Sequence, residues 1–301
     1  MPETRKVCKA VVPVAGWGTR LLPATKSQPK EMLPVGRKPA VQYVVEELQE
    51  AGLQQILFVT GRKKSAIENH FDSDQELTKI LMSGGGYALL DELKYLEAGT
   101  RFFYIRQSIP KGLADAVHLA EDFVGDEDFV VALGDSIIKS PDGNCFLSDM
   151  IASHEKHGSA CTIAVEEVAP EDVHRYGIVK PGSSGGGGLD WEIEDLVEKP
   201  SREAAPSNWA IAAHYVFSPQ IFEAIRRTYP DASGELQLTD SIRLLIRMGE
   251  KVRAVRLHQG QRRYDIGNFE SYFKAFIDFA VSDEKYGYLI RQYLKRKSSE
   301  L

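Results

Sequence analysis

Two stretches of the chain carry residue types that could do phosphate chemistry. The first is Ala15-Gly16-Trp17-Gly18-Thr19-Arg20-Leu21-Leu22-Pro23, continuing to Pro29-Lys30-Glu31-Met32-Leu33-Pro34. Glycines after a strand let backbone N–H groups approach a phosphate, and Arg20 and Lys30 add fixed positive charge to the same loop. By its glycines alone the loop reads equally as an ordinary strand-to-helix turn with surface cations. The second stretch is Gly134-Asp135-Ser136, directly after the apolar run 128–133. A carboxylate there is an awkward neighbour of a core, unless Asp135 serves as a helix N-cap or Asx-turn. Asp265, in Tyr264-Asp265-Ile266-Gly267-Asn268, follows another strand-like run.

Several other chemistries are excluded by the same residues. The dinucleotide fingerprint GxGxxG fails because its third glycine is Leu21, and the acidic residue expected about 20 positions later is replaced by Lys38-Pro39. A P-loop fails for want of Gly-Lys-Ser/Thr. Ser136 has no His/Asp partners in sequence context. His154 and His157 share a helix face but read as solvated surface, since HxxH without further ligands makes no metal site.

These residues need elements to hold them. Val7 to Val14 reads as a buried strand, 39–51 as a helix with Pro39 in its first turn, and 56–59 as the next strand. A helix follows at 64–71, then a helix at 88–97, a strand at 101–107, a helix at 113–123 and a buried strand at 128–134. Helix 146–157 leads to strand 160–167. Beyond that come strands near 176–179, 192–198, 209–217 and 251–257, helices at 219–228 and 238–248, and a helical tail over 269–297. Gly185-Gly186-Gly187-Gly188 after two serines reads as a flexible loop. The β-α-β-α rhythm predicts an α/β fold, Rossmann-like, with a mostly parallel mixed sheet and helices on both faces. Ligands of such sheets sit beyond the carboxyl ends of the strands, where both stretches fall.

Composition narrows the setting. The chain has 301 residues, 37 Lys+Arg against 43 Asp+Glu and a net charge of −6, which argues against nucleic acid as the main partner. No apolar run approaches the ~18 residues of a membrane span. The three cysteines, Cys8, Cys145 and Cys161, are odd in number and form no CxxC, as suits a reducing cytoplasm. The aromatic tail (Phe269, Tyr272, Phe273, Phe276, Phe279) reads as core or subunit interface.

At G-x-G-T-R-L-x-P followed by P-K-E-M-L-P, the chain resembles the sugar-1-phosphate nucleotidylyltransferases. The longer string PATKSQPKEMLP and Ile67-Glu68-Asn69-His70-Phe71-Asp72 resemble the bacterial UTP–glucose-1-phosphate uridylyltransferases within that family. Lys111-Gly112-Leu113, Val197-Glu198-Lys199-Pro200, Ala205-Pro206-Ser207-Asn208 and Glu235-Leu236-Gln237-Leu238-Thr239-Asp240 follow in family order, so the resemblance spans about residues 7–280.

The resemblance implies a nucleotide-diphospho-sugar transferase fold forming one domain over 1–301: a nucleotide-binding half at about 7–160, a sugar-binding half at about 161–268 and a helical tail at about 269–301. It implies that Ala15, Gly16, Gly18, Thr19 and Arg20 hold the nucleotide, with Lys30 against phosphates near the reacting centre. Gln107 and Gly112 match positions that pair with a pyrimidine, and a Gln amide can both donate and accept, as a uracil edge requires. Asp135 matches the family's Mg²⁺ ligand and Asp265 a second carboxylate, and two carboxylates plus substrate phosphates is the usual way Mg²⁺ is held. Glu198 and Lys199 match contacts to the sugar and its phosphate, and Gly177 a close backbone approach to the sugar. Where the family usually carries a glycine stands Ala213, which predicts a narrower sugar pocket.

The implied reaction is Mg²⁺-dependent transfer of a uridylyl group from UTP to α-D-glucose 1-phosphate, giving UDP-glucose and diphosphate, with Arg20, Lys30 and Lys199 as the catalytic cations. The implied setting is a cytoplasmic homodimer or homotetramer. Two alternatives are a thymidylyltransferase using dTTP, since uracil and thymine differ by one methyl, and a nucleotide-sugar-binding regulatory subunit without turnover.

Overall fold

The computed structural model describes residues 7–96, 99–140, 143–183, 185 and 187–300. In chain order the strands are β1 (Lys9–Pro13), the two-residue β2 (Pro34–Val35) and β3 (Lys38–Pro39), β4 (Gln55–Thr60), β5 (Arg101–Arg106), β6 (Phe129–Ala132), β7 (Ser136–Lys139), β8 (Cys161–Glu167), β9 (Gly177–Pro181), β10 (Asp190–Glu198), β11 (Trp209–Phe217), β12 (Val252–Arg256) and β13 (Arg262–Asp265). Nine of them build one sheet in the order β5-β4-β1-β6-β11-β8-β12-β10-β9. Pairs β4–β5, β1–β4, β1–β6 and β8–β12 are parallel, while β11 and β10 run against their neighbours. The sheet is therefore mostly parallel in direction and mixed in pairing.

The alternation of β1 shows why the sheet must be covered twice. Val11 enters one hydrophobic cluster with Leu57, Val131 and Phe217, while Ala10 and Val12 enter another with Phe58, Val130 and Val216. Successive side chains point to opposite faces, so a strand apolar at every position needs apolar cover on both. Helix Ala40–Glu50 supplies part of the second cover by burying Val41, Val44, Val45 and Leu48, with Pro39 at its N-cap position. Strands from before residue 160 fill the β5-β4-β1-β6 side of the sheet, and strands from after it fill the rest.

Several boundaries differ from the sequence reading, each for a local reason. The expected helix 113–123 is two short helices, Leu113–His118 and Glu121–Val124. The expected helix 88–97 is one α-turn, Tyr87–Leu90, followed by a 3₁₀ stretch, Asp91–Leu96, and residue 97 lies outside the described residues. The tail breaks into helices Phe269–Ser282 and Gly287–Ser298, because the Asp283 carboxylate accepts from the backbone N–H groups of Lys285 and Tyr286 and from Arg37 Nε. Of the glycine-rich loop, Ser184 and Gly186 lie outside the described residues. His154 is not solvated: it is buried, with Nδ1 3.0 Å from Thr162 Oγ1, because its helix packs that face on β8.

Two strands outside the main sheet matter most for the site. β7 leaves the end of β6 after a short turn and pairs antiparallel with β13, with Asp265 opposite Ser136. The Ile266 N–H donates to the Asp135 carbonyl at 2.8 Å, so both carboxylates sit at the same end of this ribbon. In the middle of β11, where its register shifts between Ile211 and Tyr215, Ala213 adopts a left-handed backbone (φ 66°) and its carbonyl accepts from the Leu133 N–H at 3.2 Å. An L-residue resists that conformation, so a glycine there would have a backbone cause.

Candidate active site

The site gathers beyond the carboxyl ends of β4, β1 and β6, three neighbouring parallel strands. The loop after β1 carries the glycines, the cations Arg20, Lys26 and Lys30, and three 3₁₀ turns, the last of them Lys30–Met32. Gly18 turns the chain with φ 66°, and its carbonyl accepts from Thr25 Oγ1 at 2.7 Å. Ala15 is buried, while Gly16, Thr19 and Arg20 are exposed. A cavity of about 240 Å³ opens here, lined in part by Ala15, Gly16, Thr19, Lys26, Lys64 and Gln107.

The residues expected to handle phosphates and metal do converge. Lys30 Nζ donates to Asp135 Oδ2. Burial works against the charge on Lys30, but Asp135 and Glu31 raise its pKa above the ordinary lysine value, so it stays an ammonium. Burial likewise disfavours the Asp135 carboxylate, yet the charge and hydrogen bond of Lys30 hold its pKa below the usual range. Asp265 goes the other way. Burial first, and then the negative charge of Asp135, push its pKa up against the pull of Arg263, Lys30 and Arg20. Two crowded carboxylates and three cations thus share one end of the sheet.

Gln107 closes the base side of the cavity. It is buried at the end of β5, with Nε2 donating to Asp115 Oδ2 at 2.7 Å and to the Gly112 carbonyl at 3.2 Å. With both amide hydrogens engaged, Oε1 is the atom left to accept a bond from an imide N–H. Gly112 has φ 102° and packs so closely that a Cβ would stand 2.5 Å from the Leu236 carbonyl oxygen. Only glycine fits there, and the contact ties the base side to the segment 235–240.

The third group lies along β9 and β10. Glu198 Oε2 accepts from Thr239 Oγ1 at 2.6 Å, and Lys199 Nζ lies 3.2 Å from Glu198 Oε1. A Cβ on Gly177 would stand 3.2 Å from both Glu198 Oε2 and Thr239 Oγ1. Arg263 bridges toward the acidic pair: its guanidinium lies 4.9 Å from the Tyr176 ring centre, and its charge acts on Asp265. The cleft thus offers a free amide acceptor at Gln107, cations beside a carboxylate pair at Lys30 and Asp135, and a carboxylate at Glu198.

A family model described as nucleotidyl transferase matches residues 9–281. The chain belongs to the nucleotidyl transferase family. Among relatives in this family, UTP–glucose-1-phosphate uridylyltransferase 2 of Staphylococcus saprophyticus is 42% identical over 292 residues, covering 97% of this chain and 98% of the relative. A solved structure described as UTP-bound UGPase from Acinetobacter baumannii superposes with a TM-score of 0.88 at 37% identity, covering 96% of this chain and 99% of that one. A UDP-glucose pyrophosphorylase solved with UDP-glucose superposes at 0.81 and 37% identity, covering 91% and 98%.

Sequence reasoning missed four residues that the site brings in. Asp115 orients Gln107, Thr239 orients Glu198, and Glu31 and Lys64 form a buried ion pair beneath Lys30. Glu31 and Thr239 lie inside motifs already noticed, in PKEM and ELQLTD. Lys64 carries no local signal, because an isolated lysine after a strand reads as surface.

Proposed function

We propose that the protein joins UTP and α-D-glucose 1-phosphate to give UDP-glucose and diphosphate. The reading rests above all on the convergence of Lys30, Arg20, Asp135 and Asp265 at one end of the sheet, beside the cavity lined by Ala15, Gly16, Thr19 and Gln107. A phosphate oxygen of the sugar phosphate, already ionised at neutral pH, attacks the α-phosphorus of UTP. The bond from that phosphorus to the bridging oxygen of the β-phosphate breaks, and diphosphate leaves with the electron pair. No general base and no covalent enzyme intermediate is needed, so the protein's work is alignment and charge stabilisation.

In this reading the chain divides its labour between halves. Residues from about 7–160 hold the nucleotide: Ala15, Gly16, Gly18 and Thr19 line its phosphates and ribose, and Gln107 with Gly112 meet the base. Arg20 and Lys30 stabilise the departing diphosphate. Residues from about 161–268 hold the sugar, Glu198 accepting from its hydroxyls, Gly177 letting it approach and Lys199 orienting its phosphate. Residues from about 269–301 form a helical tail.

Asp135 and Asp265 fit a divalent cation. They lie close together and half-buried, and burial first and then the charge of Asp135 make Asp265 resist ionisation, a conflict that a hard cation would relieve. Among the described residues no group of three or more His, Cys, Asp or Glu could hold a metal alone, which suits an ion that completes its shell with phosphate oxygens and water. When bound, Mg²⁺ would supply Lewis-acid stabilisation of the phosphates.

The thymidylyl and non-catalytic alternatives have less behind them. The relatives above are uridylyltransferases by name, and Arg20, Lys30 and Asp135 are all in place. No described helix is long and apolar enough to cross a membrane. With its unpaired cysteines the chain suits a reducing cytoplasm, and the exposed Phe273 and Phe276 on the tail suit contact with a second copy in a homodimer or homotetramer. The deciding assay follows diphosphate release from UTP, dTTP or CTP with glucose 1-phosphate, with and without Mg²⁺. Turnover fastest with UTP and dependent on the metal is expected; equal or faster turnover with dTTP would replace the reading.

A further inference from the structure

Glu31 and Lys64 form an ion pair that the chemistry above does not use. Lys64 Nζ lies 2.7 Å from Glu31 Oε2, and the two side chains are only 6% and 1% exposed. Burial is the largest influence on both, raising the pKa of Glu31 and lowering that of Lys64, and the charge of each partner pulls the other way. Such a pair is poor evidence for stability, because two apolar side chains of similar volume usually hold a core as well or better. Its placement suggests what it does instead.

The pair joins three loops, one from each of the strands whose ends build the cleft. Glu31 follows Lys30 in the 3₁₀ turn after β1. Lys64 caps the helix Ser65–His70 after β4 and lines the cavity. Glu31 also packs on the loop after β6, where a Cβ on Gly134 would stand 3.5 Å from Glu31 Cγ, one residue before Asp135. The order Lys64, Glu31, Lys30, Asp135 alternates in sign through the base of the site, and Glu31 acts electrostatically on Lys30.

We propose that Glu31–Lys64 is a positioning pair for Lys30. Anchored from below by Lys64, Glu31 fixes the turn so that the Lys30 ammonium stays aimed at Asp135 and at the phosphates that arrive beside it. Lys64 acts on the reaction through Glu31 and Lys30. This rests on the uridylyl-transfer reading, and the test separates the two.

Lys64→Met, Lys30→Ala and the double variant Lys30→Ala/Lys64→Met are assayed beside the wild-type protein for kcat and for KM of UTP and glucose 1-phosphate. Loss of positioning by about an ångström lowers rate on the order of 10²-fold. Lys64→Met is therefore expected to lower kcat on that scale while each KM moves less than about threefold, since ground-state binding is untouched. In the Lys30→Ala background the same change should cost less than about twofold, because its target is gone. Multiplicative losses in the double variant would overturn the proposal, as would a raised KM for UTP with kcat intact, which would make Lys64 a direct phosphate ligand. If Lys64→Met melts below the assay temperature, Glu31→Met/Lys64→Met removes both charges at similar volume and takes its place. It is expected to melt no lower than wild type and still turn over slowly; full kcat from it would show that the pair only fills space. Wild-type protein inactive with UTP would sink the functional reading itself, whereas an active wild type with multiplicative variants would sink the pair's role alone.

Discussion

A methyl group at Gly177 tests the sugar side of the cleft more sharply than a charge deletion does. Gly177 opens β9 outside the left-handed region, so the backbone itself accepts alanine. The added Cβ would stand 2.8 Å from Ile211 Cδ1 and 3.2 Å from both Glu198 Oε2 and Thr239 Oγ1. The isoleucine methyl can rotate away. The two oxygens are joined to each other at 2.6 Å, so they must retreat together by a few tenths of an ångström to reach an ordinary contact of 3.4 Å or more. Overpacking of this kind costs about 1–3 kcal/mol. If that strain falls on the bound sugar phosphate, kcat/KM for glucose 1-phosphate drops by about 5- to 150-fold. Steady-state diphosphate release, with UTP saturating and glucose 1-phosphate varied, measures it. The same titration with UTP varied should show a KM within about twofold of wild type, since Gln107 and Gly112 lie on the other side of the cleft. Equal losses against both substrates, or none in a variant that melts normally, would refute the placement of the sugar beside Glu198.

Three further outcomes follow from the same geometry. Lys30→Ala and Asp135→Asn should each lower kcat on the order of 10²–10³-fold, the scale for removing a preorganised charge, and full turnover in either would contradict the assigned roles. Burial tends to raise the pKa of Asp195, but hydrogen bonds from Arg243 at 2.7 and 2.8 Å and from the Leu196 N–H hold it below the ordinary 3.8. The folded pKa being depressed, the pair's contribution is present above pH 3.8 and lost as pH falls from there through the folded value. For a pair about one-third exposed it amounts to about 1 kcal/mol or less, so thermal melts of Asp195→Asn should lie slightly below wild type at pH 7 and converge with it as the pH falls below 3.8. Phe273→Asp/Phe276→Asp, at positions 56% and 40% exposed, should shift the mass measured by light scattering toward a monomer while leaving the melt of the folded chain intact.

Legibility in the sequence followed burial. Elements with an apolar face against the sheet, such as helix Ala40–Glu50 or the run 128–133, were readable because their period reports the face they bury. Helix Gln75–Ser83 was missed: it buries no residue, so its apolar positions record no core. β7 was missed, and β13 was read only as a strand-like run before Asp265, because each is four residues long and held by its partner across the chain. Within the site, Asp135 was legible because it stands just past a strand, Asp265 because it ends a strand-like run, and Arg20 and Lys30 because they share the glycine-bearing loop after β1. Glu31 and Lys64 were not, since each alone looks like an ordinary solvated charge. Only the folding together of two loops buries them.

The ribbon of β7 and β13 also sets a timetable for the chain's synthesis. Asp135 and Asp265 lie 130 positions apart, and the Ile266 amide that latches onto the Asp135 carbonyl comes a residue later still. A nascent protein that has passed the ribosome only through β11 already owns its glycine cradle and the loop cations. The acidic partner from β13 does not yet exist, so the pair of carboxylates forms only after β13 has been made.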